Sequence, residues 1–438
     1  MTQSFSDFAA LHDKFRYSYF DEDGNLKQKK LGTYWLNYPS RRQYTAGMAF
    51  MPQHNEQVVN GRLNLWQGYG VNAVKPAGKS GAAGASKFLA FALDVICSGN
   101  EEHFDYLIKR EAFILQRRPR SEIALGLSTK EEGVGKGFYE QVMRRLLGNH
   151  AMQVGRPEHV IGKFNPHLET LLRLTADEAL FVGDPRHRNA LYGQITEKEN
   201  TIEPKFCGVY SAANYLNISI TTNAPHFLVV GEDARRLFVP TVSPVHKQDF
   251  DYFGAIFDQL KNDGGFEALL YHLLNEIDLR DFEVSKVPRT AGLLEQISYS
   301  RRGVDGLVEA VCNTARVPNE HPSWLGFTVT SGSEEGHGFE VALSKSKDPD
   351  LARLSTLTVS KRLCRDWGCK AEQRREAGGN SGLQWPPLAE LRQRFIDKFG
   401  PQEWQIADQT EWQADDTVES KVAPAKVEPK KTRRRIHG

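Results

Sequence analysis

The sequence has almost no net charge, few cysteines and no long apolar run, and each shortage removes a class of function. Lysine and arginine total 56 against 55 aspartates and glutamates, so no chain-wide basic field advertises a polyanionic partner and any basic surface must be local. The five cysteines (Cys97, Cys207, Cys312, Cys364 and Cys369) form no C-x-x-C. Only Cys364 and Cys369 lie close, and no His or Cys pair beside them completes a zinc set. Their odd number and scatter fit buried free thiols in a reducing compartment. No uninterrupted apolar run approaches membrane-spanning length. Met1 to Lys14 mixes acidic and aromatic residues without the apolar core of a signal peptide. A cytoplasmic protein with no membrane partner is therefore expected.

What is present is enough chain, 438 residues, for two or three domains. Residues 1–121 form an aromatic, turn-rich region with Tyr34, Trp35, Tyr38, Tyr44, Phe50, Trp66 and Tyr69. It reads as short strands and loops, then a flexible stretch from Gly78 to Ala85, then lead-in helices over Ser86–Ile96 and His103–Leu115. Residues 122–245 alternate short apolar runs with helical patterns, which predicts an α/β fold with a mainly parallel sheet flanked by helices. A helical lid and connector occupies 246–292. Residues 293–400 read as a small α+β domain with helices at Val304–Thr314 and Leu388–Phe399. The tail, 401–438, is acidic and then basic (Lys430 to Arg435), and is expected to be disordered for want of apolar residues.

The strongest signal lies at the start of the α/β region. A buried strand over Glu122–Leu127 leads into the loop Ser128 to Gly137, and a helix follows whose inner face is Phe138, Val142 and Leu146. Glycines in such a loop let successive backbone N–H groups cradle a triphosphate, the helix N-terminus adds positive potential, and a lysine reaches the β- and γ-phosphates. Gly133, Val134, Gly135, Lys136, Gly137 and Phe138 are therefore assigned to ATP binding. The match to G-x-x-x-x-G-K-[ST] is incomplete, because Lys130 stands where the first glycine belongs and Gly137 where Ser or Thr would bind Mg²⁺.

A site of this kind needs an apolar strand ending in acid. Leu171 to Asp177-Glu178 supplies one: Asp177 is expected to hold Mg²⁺, directly or through water, and Glu178 to be the general base for the attacking water. The alternating run Leu216–Asn223 predicts a strand between these two, which would set Asn223 against the γ-phosphate. Arg235 and Arg236 precede a further apolar strand, where a guanidinium suits the transition state at a neighbouring subunit's site; a surface ion-pair cluster with Glu232 and Asp233 is the bland alternative.

With these elements in order, the stretch from about Leu63 to Gln296 resembles the superfamily-three helicase domain of phage and prophage primase–helicase proteins. The other pieces that carry the resemblance are Asn64-Leu-Trp66-Gln-Gly68, Gln116-Arg-Arg-Pro119, Phe164-Asn165, Asp177 to Asp184, Leu191 to Glu197, Ile202 to Lys205, Thr222-Asn223 and Ala234 to Phe238. The resemblance implies an AAA+ P-loop core and a homo-oligomeric ring, commonly of six, with ATP between subunits. It also implies ATP-fuelled translocation on single-stranded or forked DNA. It puts Lys136 on phosphate, Asp177 and Glu178 on metal and water, Asn223 as polar sensor, and Arg235 or Arg236 as the finger. Lys205 falls in the segment that the family directs toward the central channel, where it would touch the DNA backbone. The family usually adds a primase domain; the N-terminal part here is too short for one, so a helicase acting with a separate primase or polymerase is expected.

The C-terminal domain reads equally as a winged helix and as a plain structural cap. Leu351–Leu363 and the basic residues after it suit phosphate contacts. An ATP-dependent DNA helicase is the leading reading. The alternative is a DNA-associated initiator or loader that uses ATP binding as an assembly switch, and a monomeric P-loop phosphotransferase has no need for Asn223 or the paired arginines.

Overall fold

The computed structural model describes residues 5–179, 185–205, 208–231, 234–321, 324–331, 339, 343, 346, 348–374, 380–400 and 404–413. It divides into two units: 1–223 with 236–288, and 224–235 with the chain from 289 onward.

The first unit is organised by a five-stranded sheet in which every strand is parallel to its neighbours. Its core elements are helix α1 (Glu101–Arg117), β1 (Ala124–Ser128), α2 (Lys136–Leu147), β2 (Ala151–Val154), β3 (Arg173–Asp177), β4 (Asn217–Thr222), β5 (Leu237–Phe238) and α3 (Phe250–Asn262). The strand order is β5-β1-β4-β3-β2. Strands β1, β3 and β4 are buried along almost their whole length, as parallel strands covered on both faces must be. The register pairs Thr222 with Ser128 and Thr221 with Asp177, so the carboxyl ends of β1, β3 and β4 are level. The chain leaves β1 for the far edge and later returns to its other side, so the loop after β1 lies at a switch of direction, where open α/β sheets bind ligands.

Local sequence explains the helix ends. Asn100 caps α1 by accepting the His103 N–H at 2.9 Å, Asp249 caps α3 through the Tyr252 N–H at 3.0 Å, and α2 stops at Gly148 with φ +58°. Gly78–Ala85, expected to be flexible, instead contains the short helix Gly81–Gly84. A Cβ on Gly81 would meet the Ala268 carbonyl at 2.7 Å, and one on Gly84 the Ala268 Cβ at 2.6 Å. The small residues are there so that two backbones can approach, which composition alone does not distinguish from a linker.

Outside the sheet, Arg16–Phe20 and Leu26–Lys30 form an antiparallel hairpin. Asp21 and Asp23 belong to its turn: Asp21 Oδ1 accepts the N–H groups of Asn25 (2.8 Å) and Asp23 (3.2 Å). A second hairpin, Glu199–Ile202 with Tyr210–Ala213, precedes β4.

The second unit contains α4 (Ala291–Ser300), α5 (Gly303–Thr314), β6 (Trp324–Ser331), α6 (Thr356–Trp367), β7 (Lys370–Arg374), β8 (Asn380–Gln384) and α7 (Leu388–Phe399). Glu320–His321, β6, β8 and β7 make an antiparallel sheet in that order. Trp367, Trp385, Phe395, Val308 and Leu363 fill its core. Part of the tail belongs here, contrary to the expectation of disorder from 401. Trp404 packs against Phe395 at 5.4 Å between ring centroids, Gln413 N–H donates to Ala315 at 3.0 Å, and Arg392 donates to the carbonyls of Cys312, Ile406 and Gln409. The remainder, 401–403 and 414–438, with its basic end, lies outside the described residues, as do Cys207 and residues 180–184 of the acidic motif. Cys97, Cys312 and Cys369 are buried free thiols. Among the described residues no helix is long and apolar enough to cross a membrane.

Candidate nucleotide site

The loop after β1 turns on two glycines with left-handed backbone, Gly133 (φ +73°) and Gly135 (φ +101°). A Cβ on Gly135 would lie 2.8 Å from the rings of Phe91 and Phe253, so glycine is required for space as well as for conformation. Val134 is buried and anchors the loop. The Gln248 N–H donates to the Gly133 carbonyl at 3.0 Å, and Lys247 pairs with Glu131. Gly137 faces open space on the first turn of α2, and Phe138 packs at the edge of the Phe91–Phe253 cluster. Lys130 is exposed.

Four of the residues singled out by sequence converge on the carboxyl ends of β1, β3 and β4. Lys136 Nζ donates to Asn223 Oδ1 at 2.6 Å and to the Thr129 carbonyl at 3.3 Å. The Glu178 carboxylate accepts the Asn223 N–H and the Thr222 hydroxyl, both at 2.7 Å. Glu178 itself adopts φ +50°, an uncommon conformation for a residue with a side chain, of the kind found where a functional group is held in place. Asp177 accepts from the Thr221 hydroxyl at 2.7 Å and from Gln153 Nε2 at 2.5 Å. Lys136 is only 8 % exposed; burial pushes its pKa below the ordinary value, and Glu178 and Asp177 oppose that shift.

Sequence reading missed two parts of this arrangement. Gln153 sits on the edge strand β2, whose Ala-Met-Gln-Val carries no distinctive pattern. Behind the site lies a fully buried ionic network. Arg173, on β3, donates two hydrogen bonds to Glu140 of α2 and one to Glu111 of α1, each 2.8 Å. Arg110 pairs with Glu111 at 2.9 Å, and the Thr175 hydroxyl donates to Glu140 at 2.6 Å. The bidentate Arg173–Glu140 pair ties the helix that begins at Lys136 to the strand that ends at Asp177.

Lys205 lies beyond the Glu199–Ile202 strand, with its ammonium 5.4 Å from the Phe164 ring centroid. Asn165 fastens this segment, donating to the Thr201 carbonyl (2.9 Å) and accepting the Glu203 N–H (3.0 Å). Arg235 is exposed and Arg236 half-buried; the Arg236 carbonyl starts β5 by accepting the Ala124 N–H at 2.9 Å. Their acidic neighbours Glu232 and Asp233 lie outside the described residues.

A nucleoside triphosphate fits these groups: a glycine-shaped cradle, an open helix N-terminus and a buried lysine. Mg²⁺ fits as well, since it needs only one or two carboxylates besides phosphate and water, and Asp177 offers one. Among the described residues no group of three or more His, Cys, Asp or Glu forms a metal cluster of the all-protein kind.

Comparison with known proteins adds the following. A protein-family model, DUF5906, described as a family of unknown function, matches residues 127–236, the stretch from the end of β1 to the start of β5. No curated protein matches the chain. Among solved structures, the apo structure of the NrS-1 C-terminal region (305–718) aligns with a TM-score of 0.56 at 14 % identity, covering 86 % of this chain and 98 % of that one. An A-form apo structure of the same region aligns at 0.54 and 15 % identity, with the same coverage. At such identities the likeness is one of fold, and it extends over both units rather than the nucleotide site alone.

Proposed function

We propose that the chain is an ATP-driven motor of the AAA+, superfamily-three helicase kind, working on DNA in phage or prophage replication. The observation that carries this reading is the chain of contacts Lys136–Asn223–Glu178 across the level ends of β1, β4 and β3. A lysine, a polar amide and a carboxylate so arranged suit phosphate binding, sensing and activation of water. The order β5-β1-β4-β3-β2 supports it by inserting the Asn223 strand between the two strands that end at the phosphate loop and the acidic pair. The likeness to the NrS-1 C-terminal region agrees with it in fold.

In this mechanism the Gly133–Phe138 backbone binds the triphosphate and Lys136 exchanges Asn223 for phosphate oxygens. Asp177 would hold Mg²⁺, which when bound would supply charge neutralisation to the triphosphate. Glu178 orients the water and accepts its proton, and Asn223 fixes the water's position. Arg235 or Arg236 completes the site of an adjacent subunit in a homo-oligomeric ring, taken as a hexamer and testable by equilibrium mass. The hairpin that leads to Lys205 contacts the DNA backbone. In the second unit, α5, β6, α6 and the β7–β8 pair follow in winged-helix order, and α6 exposes Thr358, Lys361 and Arg365 along one side, as a DNA-reading helix does.

One observation favours the assembly-switch alternative. Both Glu178 oxygens are already engaged by Thr222 and Asn223, which suits a group that reports on nucleotide rather than turning it over. Unwinding of a forked DNA by wild type and by Glu178→Gln separates the two. Loss of unwinding with retained ATP binding supports the motor, whereas an inert wild type whose DNA assembly is unaffected by the substitution supports the switch.

A further inference from the structure

The N-terminal hairpin carries a surface that the nucleotide site does not use. Direct cross-strand partners project from the same face, so the pairs Tyr17–Lys29 and Tyr19–Lys27 put two tyrosines and two lysines together on one side. Tyr17 and Tyr19 are near-parallel, 6.2 Å apart at 12°. Tyr34, from the helix Leu31–Leu36, stacks on Tyr17 at 3.9 Å and 15°, and Tyr38 continues the row 5.7 Å from Tyr34. The Lys29 ammonium lies 4.7 Å from the Tyr19 ring centroid. Among the described residues Lys27 pairs only with Asp21, at a long 3.7 Å, a contact of a kind that contributes little.

This face is not a piece of core. Every residue of Leu26–Lys30 is exposed, and Tyr17 keeps 38 % of its surface despite its stack. The Tyr34–Tyr17 stack packs part of this face and Tyr19 is half-buried, so it is the ring surface still left to solvent that needs an explanation other than folding. Charge says what kind of partner fits. Residues 13–42 hold seven Lys or Arg and seven aromatics within a chain whose net charge is only +1, while three of the four acids, Asp21, Glu22 and Asp23, are confined to the hairpin turn. Flat rings interleaved with cations, with the anions held at one end, match single strands, whose bases stack on aromatics and whose phosphates seek lysines. A duplex hides its base faces and cannot use the rings.

We propose that the Tyr17/Tyr19–Lys27/Lys29 face of the N-terminal hairpin binds single-stranded nucleic acid, stacking bases on the tyrosines and pairing phosphates with the lysines. The platform does not rest on the ATPase reading and lies on different elements from the Lys205 hairpin. It would hold a strand whether or not nucleotide is turned over.

The test uses the full chain carrying Lys136→Ala, without nucleotide, and fluorescence anisotropy with a labelled single-stranded DNA, an RNA of the same sequence and a duplex DNA. Adding Tyr17→Ala with Tyr19→Ala should weaken single-strand binding by at least about tenfold, while Tyr17→Phe with Tyr19→Phe keeps the rings and restores it. Lys27→Glu with Lys29→Glu, exposed changes that leave the rings in place, should weaken binding and flatten its salt dependence. Loss on DNA, on RNA or on both supports the platform and names the strand it takes. Single-strand affinity within about twofold of the parent in both the Ala and the Glu variants overturns it, as does a duplex bound as tightly as the single strand.

Discussion

The Lys136 ammonium and the Asn223 side-chain oxygen stand 2.6 Å apart, joining the first turn of α2 to the end of β4. The two residues are 87 positions apart in sequence, and the sheet order alone brings them together. If Asn223 positions the attacking water, Asn223→Ala should lower kcat for ATP hydrolysis by about a hundredfold with little change in KM. Steady-state kinetics give the split directly; an equal rise in KM with kcat preserved would make Asn223 a ground-state binder instead.

The buried Arg173–Glu140 pair should matter to stability first. Arg173→Met strands Glu140 and half-strands Glu111 in the interior, and breaking such a pair costs about 3–5 kcal/mol. A large drop in melting temperature is expected, partly recovered when Glu140→Leu is added, because Arg110 and Glu111 still pair. Calorimetry of the single and double variants checks the coupling.

The same pair predicts acid sensitivity. Burial opposes the charged form of Glu140, but Arg173, by charge and by hydrogen bond, and the Thr175 hydroxyl outweigh it and hold the carboxyl below its ordinary value. A depressed carboxylate contributes stability that is fully present above its unfolded pKa and is lost as pH falls through the lower folded value. Melting temperature against pH should therefore fall below the ordinary glutamate range in wild type. In Glu140→Gln, that part of the slope should be missing.

These residues also mark where sequence was legible and where it was not. Strands β1 and β3 announce themselves as apolar runs because parallel strands are buried on both faces, β4 shows as an alternating run ending in an amide, and helix α2 follows a glycine loop with an apolar stripe. Asp177, Glu178 and Asn223 were found because each ends such a run, and Lys136 because it closes the glycine loop. Arg110 and Glu111 were not, since charges inside a helical pattern ordinarily face water, and nothing local reveals that Arg173 waits for them across the sheet. Gln153 was missed because an edge strand of four residues has too little burial to leave a pattern. Trp404 and Trp412 were lost in a tail whose overall composition is polar.

Those tryptophans give a further prediction. Truncation after Gly400 removes two of the three carbonyls that Arg392 bonds, those of Ile406 and Gln409, and the ring that covers Phe395, so the second unit should melt several degrees lower, whereas truncation after Gln413 should leave it unchanged. Thermal unfolding of the two truncated chains decides it.

DNA coupling is tested through the hairpin before β4. Asn165→Ala removes both bonds that fasten the Thr201–Glu203 segment, and Lys205→Ala removes its cation. Each should reduce the stimulation of ATP hydrolysis by single-stranded DNA about five- to tenfold, a loss of roughly 1 kcal/mol or more of coupling. Stimulation undiminished in both would remove this hairpin from the DNA path.

ATP hydrolysis by wild type and Lys136→Ala, with and without single-stranded DNA, tests the central claim most directly. The account predicts turnover in the wild type that rises with single-stranded DNA and vanishes in the variant. ATP binding with no DNA-dependent turnover would contradict a motor and leave an ATP-gated assembly factor in its place.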